Sequence, residues 1–450
     1  MKEFNFEKLP IVEIANEIII DAVNKGASDI HFDPSKDSLK IRFRIDGILS
    51  DYSIVPSKYK RNMISRIKMI AGMNIMETRL PQDGAIKSKI GDRLLDLRVS
   101  TLPTNNAEKI VIRILDYSMS LAGLDNLGFS KDAMEKINKL IRIPNGIILV
   151  TGATGTGKST TLYSILQKLN TEEVNIITVE DPVEMDIAGI NQVQTQTEIG
   201  LTFATILRSI LRQDPNIIMI GEIRDDETAR IAVRASITGH LVLSTLHTNN
   251  SLNTIERLTD MDVERYLLGS SLEGIISQRL ARKLCPNCMI KRQTTEYEKQ
   301  VFKTVIGKDI NEMYVANKEG CPRCNHGYRG RLAILEVLVM NEKIKDAITN
   351  NAPKHVLRDL VYTGEVVTLL QDGLNKVVEG ETSFEEILKI VDLENDMTAY
   401  KDDNLVANLK MAQKAHSIKE TPQQQPAPQV TQQVQQINNQ IPNNVETVEF

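Results

Sequence analysis

At 450 residues the sequence supplies about two to three domains, at ~150 residues each. Apolar residues make up 41% and charged residues 25%, the ordinary proportions of a globular protein, which excludes general disorder. A net charge of −5 argues against a broad nucleic-acid surface, because polyanion binding rests on basic patches.

The opening residues 1–8 lack the apolar core of a secretory signal, and no apolar run approaches the roughly 20 residues that cross a bilayer. The expected location is therefore the cytoplasm. Residues 1–118 read as a small α+β domain. Ile11, Ile14, Ala15, Ile18, Ile19, Ala22 and Val23 recur at helical spacing and stop at Gly26. Leu39, Ile41, Phe43 and Ile45 alternate with Lys40, Arg42 and Arg44, and Asp46-Gly47 then signals a hairpin turn, so a half-buried antiparallel strand is predicted. A second helix is predicted over Tyr59 to Ile70, followed by strands around 94–99 and 109–115.

From Leu124 apolar strands alternate with helices. Ile147 to Thr151, Ile176 to Glu180, Ile217 to Ile220 and Leu241 to Thr245 are apolar on both faces, the pattern of a parallel sheet covered by helices. A cysteine-bearing insertion follows Lys283, and helix then continues to about Val391. Residues 421–450 hold 9 Gln, 4 Asn and 4 Pro, a composition too polar to bury a core, so a disordered tail is predicted over 401–450.

The strongest motif is Gly152-Ala153-Thr154-Gly155-Thr156-Gly157-Lys158-Ser159, which satisfies G-x-x-x-x-G-K-[ST] between a predicted strand and a helix that starts at Thr160. The glycines let the backbone wrap phosphates, the helix N-terminus adds a favourable dipole, and Lys158 reaches the β- and γ-phosphates of ATP. Ser159 would ligate Mg²⁺. Downstream, Ile217-Ile218-Met219-Ile220-Gly221-Glu222 has the form of a Walker B strand, except that Gly221 occupies the usual position of a magnesium-binding Asp. Glu222 is left to orient or deprotonate the attacking water. Between these motifs, Glu180, Asp181 and Glu184 lie just past a strand predicted to neighbour the phosphate-loop strand. Such a cluster reads either as ligand chemistry at a sheet end or as a solvated loop. His240 and His247 bracket the next strand; a histidine there can report loss of a γ-phosphate or serve only the fold.

The four cysteines form two C-x-x-C pairs, Cys285/Cys288 and Cys321/Cys324, with 32 residues between them. Paired C-x-x-C units are the pattern of a closed tetrathiolate Zn²⁺ site, although this gap is wider than in most zinc ribbons.

Taken together these segments resemble the secretion ATPase family that powers type II secretion and type IV pilus assembly, from Pro10 to about Val391. The phosphate loop is followed by an acidic box at Thr178 to Glu184, the atypical Walker B at Ile217 to Asp225, and a histidine box at Thr238 to Thr248. Ala27 to Phe32, Arg42 to Leu49 and Leu80 to Gly84 look like the family's N-terminal packing domain. The resemblance implies a PAS-like α+β domain over 1–118 and a RecA-like P-loop NTPase domain over 119–400. It also implies a small zinc element at 285–330 of the assembly type. It assigns catalysis to Glu222 and Glu184, γ-phosphate sensing to His247, and an arginine finger on a neighbouring subunit's ATP to Arg98. It further implies a homohexamer, peripheral at the inner face of the cell membrane, that passes its motion to an inner-membrane platform protein, while the acidic balance argues against nucleic acid as a partner. The chain departs from the pattern at Ala85, where the family has a second finger arginine; Arg79 or Lys87 would substitute, or one finger suffices. The family's outermost N-terminal domain has no counterpart, so docking would use another surface. A hexameric nucleic-acid translocase and a nucleotide-gated regulator are the alternative readings.

Overall fold

The computed structural model describes residues 1–90, 93–116, 123–362 and 365–391; the predicted tail at 401–450 lies outside the described residues. The chain opens with α1 (Ile11–Asn24), β1 (Ala27–Pro34), β2 (Ser38–Ile45), β3 (Ile48–Pro56), α2 (Ser57–Ile70), β4 (Gln82–Ile90), β5 (Arg93–Pro103) and β6 (Glu108–Asp116). These strands make one six-stranded antiparallel sheet in the order β3-β2-β1-β6-β5-β4. Alternation sorts its two faces. Ile30, Phe32, Ile41, Phe43, Leu97, Val99, Ile110 and Ile112 point inward and bury Ile14, Ile18, Met63 and Ile67 of the two helices. The opposite face is a ladder of charges: Asp29 lies between Arg44 at 3.6 Å and Arg113 at 3.3 Å, and Asp33 pairs with Arg42 at 2.6 Å and with Lys109.

The second part comprises α3 (Lys131–Leu140), β7 (Gly146–Thr151), α4 (Lys158–Leu169), β8 (Ile176–Glu180), β9 (Asn191–Gln194), α5 (Phe203–Ile210), β10 (Ile217–Ile220), α6 (Asp226–Ile237), β11 (Leu241–Leu246), α7 (Ser251–Asp260), α8 (Arg265–Ser271) and β12 (Leu272–Leu284). It continues with β13 (Ile290–Gln293), α9 (Glu296–Ile306), β14 (Glu312–Val315), β15 (Tyr328–Val339), α10 (Glu342–Thr349), α11 (Lys354–Tyr362), α12 (Leu369–Val378) and α13 (Phe384–Ile390). Its seven-stranded sheet runs β15-β12-β7-β11-β10-β8-β9, parallel throughout except for the antiparallel β12–β15 pair. Every residue of β7, β8, β10 and β11 is buried, because helices cover both faces. Two expectations are corrected. The stretch after Lys283 does not run on as helix to Val391: it contains β13, β14 and the long β15, which pairs antiparallel with β12. The acidic-box strand β8 does not neighbour the phosphate-loop strand β7, which lies between β11 and β12. β8 instead lies between β10 and β9, and the polar, partly exposed residues of β9 suit a sheet edge.

Polar contacts join the two parts, among them one from Arg98 Nη2 to Val183 O at 3.1 Å. The Asp46 carboxylate in the β2–β3 hairpin accepts from the Gly330 N–H at 3.0 Å, and Arg98 on β5 meets Glu184. Asp46 has φ 50°, the left-handed conformation expected of the first residue in an Asp-Gly hairpin turn.

Candidate nucleotide site and cysteine centre

The phosphate loop leaves the carboxyl end of β7 and enters α4 at Lys158. The N-cap is Gly157, left-handed at φ 86°, and it brings no side chain to the first N–H groups of the helix. That end is a ready anion site. Thr154 and Gly155 form the exposed crest, with Gly155 at φ 81°, while Thr156 is buried and its hydroxyl donates to Ala153 O at 2.9 Å. Ser159 and Thr160 occupy the first helical turn, Ser159 exposed. Lys158 is mostly buried, and its ammonium donates to Gly152 O at 2.9 Å and Ala153 O at 3.1 Å, inside the curve a triphosphate would fill. Burial lowers its pKa, Arg279 lowers it further, and Glu222 opposes both.

Glu222 follows β10, held from two sides. Arg224 Nε donates to one carboxylate oxygen at 2.6 Å, and His247 Nε2 lies 3.1 Å from the other. Burial by itself raises the Glu222 pKa, but Arg224 and then His247 bring it below the ordinary carboxylate value. The glycine before it has a steric reason: a Cβ at Gly221 would stand 3.3 Å from Val179 O on β8. That is a crowded distance, and Gly221 N donates to the same carbonyl at 2.8 Å. Strand spacing at this point leaves little room for the usual aspartate.

The acidic box separates into three fates. Glu180 is buried and accepts from Tyr163 Oη, from Thr178 Oγ1 at 2.6 Å and from Gln192 Nε2 at 3.0 Å, so it serves the fold. Asp181 meets Arg224 at 3.3 Å. Glu184 is reached by Arg98 Nη2 at 2.8 Å; burial raises its pKa despite Arg98 and Arg113. The two histidines also diverge. His247 faces Glu222, whereas His240 Nδ1 sits 2.8 Å from Ala235 O at the end of α6 and finishes that helix.

Ala85 is directly opposite Arg98 across the β4–β5 pair, and Arg113 is opposite Arg98 on the other side. Arg79 is mostly exposed and bound to its near neighbour Glu77 at 2.8 Å, while Lys87 pairs in register with Asp96. Of these cations, Arg113 is the one beside Arg98 that also acts on Glu184. Sequence reasoning missed it, although it alternates outward from Ile112 and Ile114 on β6. It also missed Arg224, two residues past Glu222, and Gln278 under the phosphate loop. Next to that loop a cavity of about 1180 Å³ opens, lined by Lys25 and Asp46 from the first part and by Thr160, Phe129, Arg323 and Arg331 from the second.

The four cysteines converge. Cys285 follows β12 directly, Cys288 closes a turn onto Cys285 O at 3.2 Å, and Cys324 closes another onto Cys321 O at 3.1 Å. Sγ of Cys285 is 3.8 Å from that of Cys321, and Sγ of Cys288 is 3.6 Å from that of Cys324. All four sulfurs lie within 4.8 Å of one another. Tetrahedral ligation at Zn–S ~2.3 Å requires S···S of about 3.8 Å, so the donor set fits zinc.

The family model described as "Type II/IV secretion system protein" matches residues 5–389. The chain belongs to that family. As a type II/IV secretion system protein it is 44% identical over 382 residues to the "Type II secretion system ATPase E" of Vibrio cholerae, covering 85% of this chain and 75% of that one. It is 45% identical over 381 residues to the "Type IV pilus assembly ATPase PilB" of Myxococcus xanthus, covering 84% and 67%. Among solved structures, the pilus retraction motor PilT with bound ADP aligns with TM-score 0.56 and 26% identity, over 88% of this chain and 98% of that one. The Legionella pneumophila ATPase DotB aligns with TM-score 0.63 over 86% and 97%; at 22% identity it speaks for the fold alone. With its phosphate loop intact, this family member is a P-loop ATPase of the secretion and pilus class. No helix among the described residues is long and apolar enough to cross a membrane.

Proposed function

We propose that this chain is the homohexameric ATPase motor of a type IV pilus or type II secretion machine, and that it acts on an inner-membrane platform protein to add pilin-like subunits to a filament. The observation that carries the reading is the pairing of Arg98, from the first part of the chain, with Glu184 in the acidic box of the second. It links the position of one part to the chemistry of the other. Family membership and the relatives named for both machines support the choice of process.

In this reading Lys158 exchanges its loop carbonyls for the β- and γ-phosphates of ATP. Glu222 accepts a proton from water as the water oxygen bonds to the γ-phosphorus and the bond to the β-phosphate oxygen breaks, releasing ADP and phosphate. His247 orients Glu222 and registers the γ-phosphate. Ser159 and the phosphate oxygens would hold Mg²⁺, which neutralises charge on the phosphates. The four cysteines would hold Zn²⁺ as a cross-link of the C-terminal region. Arg98 leaves Glu184 to serve a neighbour's triphosphate, and Arg113 supplies the second cation that Ala85 does not.

Arg98→Ala is expected to lower turnover by less than the ~10³-fold loss of a lone finger, because Arg113 remains beside it. Mixing Arg98→Ala with Glu222→Gln chains tests the trans geometry. Each variant lacks what the other supplies, so mixed rings should turn over ATP faster than either parent. Mixed rings, verified by differential tags, that stay as slow as their parents would rule out a finger acting between subunits.

A further inference from the structure

β12 continues past the end of β7. Ser277 is in register with Thr151, the last residue of β7, so Gln278 is the first β12 residue to run alongside the phosphate loop. Its side chain is 2% exposed and makes two hydrogen bonds to that loop and its helix. Nε2 donates to Thr156 O at 2.8 Å, and Oε1 accepts from Thr161 Oγ1 at 2.7 Å. The fit is close: a Cβ at Gly152 would stand 2.5 Å from Gln278 O, and one at Gly157 would stand 2.8 Å from Gln278 Nε2. Gly152 and Gly157 are the motif glycines that lie against this stretch of β12, and both have positive φ, 149° and 86°.

We propose that Gln278 is a positioning residue that presets the phosphate loop, and that it controls ATP affinity more than the chemical step. The inference rests on the loop being the ATP site. In a planar trans peptide the carbonyl and the following N–H point in opposite directions. By holding Thr156 O toward β12, Gln278 turns the Gly157 N–H to the opposite side, where a phosphate would sit. Without that bond the Thr156–Gly157 peptide is free to rotate, and the N–H must be reordered each time nucleotide binds. The bond from Thr161 keeps the glutamine amide from flipping, because only one orientation presents the donor to Thr156 and the acceptor to Thr161.

Binding of the fluorescent analogue mant-ATP with Mg²⁺ to the full chain, together with turnover at saturating ATP, tests this. Gln278→Ala should raise Kd by roughly tenfold, the loss expected when buried polar partners go unsatisfied, while kcat changes by less than about twofold. Gln278→Glu separates hydrogen bonding from packing. It conserves shape but faces Thr156 O with an acceptor, so at pH 8 it should bind more weakly than Gln278→Ala. Thr161→Val removes only the latching hydroxyl, and its Kd should lie between those of wild type and Gln278→Ala. If Gln278→Glu binds like wild type, or if Gln278→Ala loses kcat with Kd unchanged, the assignment is overturned. Should both Gln278 variants melt early, Thr161→Val decides: raised Kd supports the role and unchanged Kd overturns it. A wild-type chain that does not bind mant-ATP would overturn the ATP reading itself.

Discussion

Glu222→Gln leaves nucleotide binding close to that of the parent chain and removes turnover, by about 10²- to 10⁴-fold if the carboxylate acts as general base. The substitution keeps the shape and the acceptor that Arg224 bonds, so the loop geometry persists. What disappears is basicity. The wild-type carboxyl is kept below its ordinary pKa by Arg224 and His247, which fixes the sign of the pH response. The base stays ionised through mildly acidic solution, and the rate falls only as pH drops through that depressed value. Glu184 bends the other way: burial raises its pKa, so its charge is lost first on acidification. A wild-type acid limb above the ordinary carboxylate range would therefore point to Glu184 as the titrating group. Normal steady-state turnover by Glu222→Gln would remove Glu222 from the mechanism.

Stripping metal from the cysteine centre is the second large effect. Purified chain should carry one zinc, and a strong chelator should expose four thiols to a colorimetric reagent and lower the melting temperature. A ligand present at ~1,000 times its Kd contributes about 4 kcal/mol to the folded state, which is a large share of the net stability of most domains. The loss should be regional. Cys285 directly follows β12, whose Ala281 lies in a core with Phe302, Leu332, Leu374, Phe384 and Ile387, where α9, α12 and α13 meet the β12–β15 ribbon, so helical signal from that region should fall before the rest. Absence of metal in freshly purified protein, or thiols that react fully without chelator, would refute a zinc centre.

Much of the architecture was legible because its signals are local. The strands that carry the site are apolar on both faces and stood out as short runs between turn residues, and the phosphate loop is a fixed spacing of glycines. What escaped depended on pairing over long range. β12 and β15 were not foreseen, because Arg279, Arg282 and Lys283 interrupt the apolar pattern of β12, and Arg329 and Arg331 open β15. Both are satisfied by partners distant in sequence, as when Arg282 meets Glu386 at 2.6 Å. Gln278 was invisible for the same reason. A lone glutamine in a mixed stretch carries no signal until the strand holding it is placed under the loop. The position of β8 could not be read either, since strand order in a parallel sheet is set by crossovers, and a run of apolar residues does not name its neighbours. Arg98 was located correctly on a strand face, while its contact with Glu184 of the same chain needed the two parts to be set side by side.

The charge ladder on the outer face of the six-stranded sheet decides what that face can bind. Asp29 and Asp33 are each shared by two cations, and the row through Asp29 continues with Arg113 and Arg98 side by side. Parting such a face from whatever it touches returns little apolar area to water, so the hydrophobic cost of separation is small. A surface that packs on this face must bring polar or charged groups of its own, and added salt weakens their attraction.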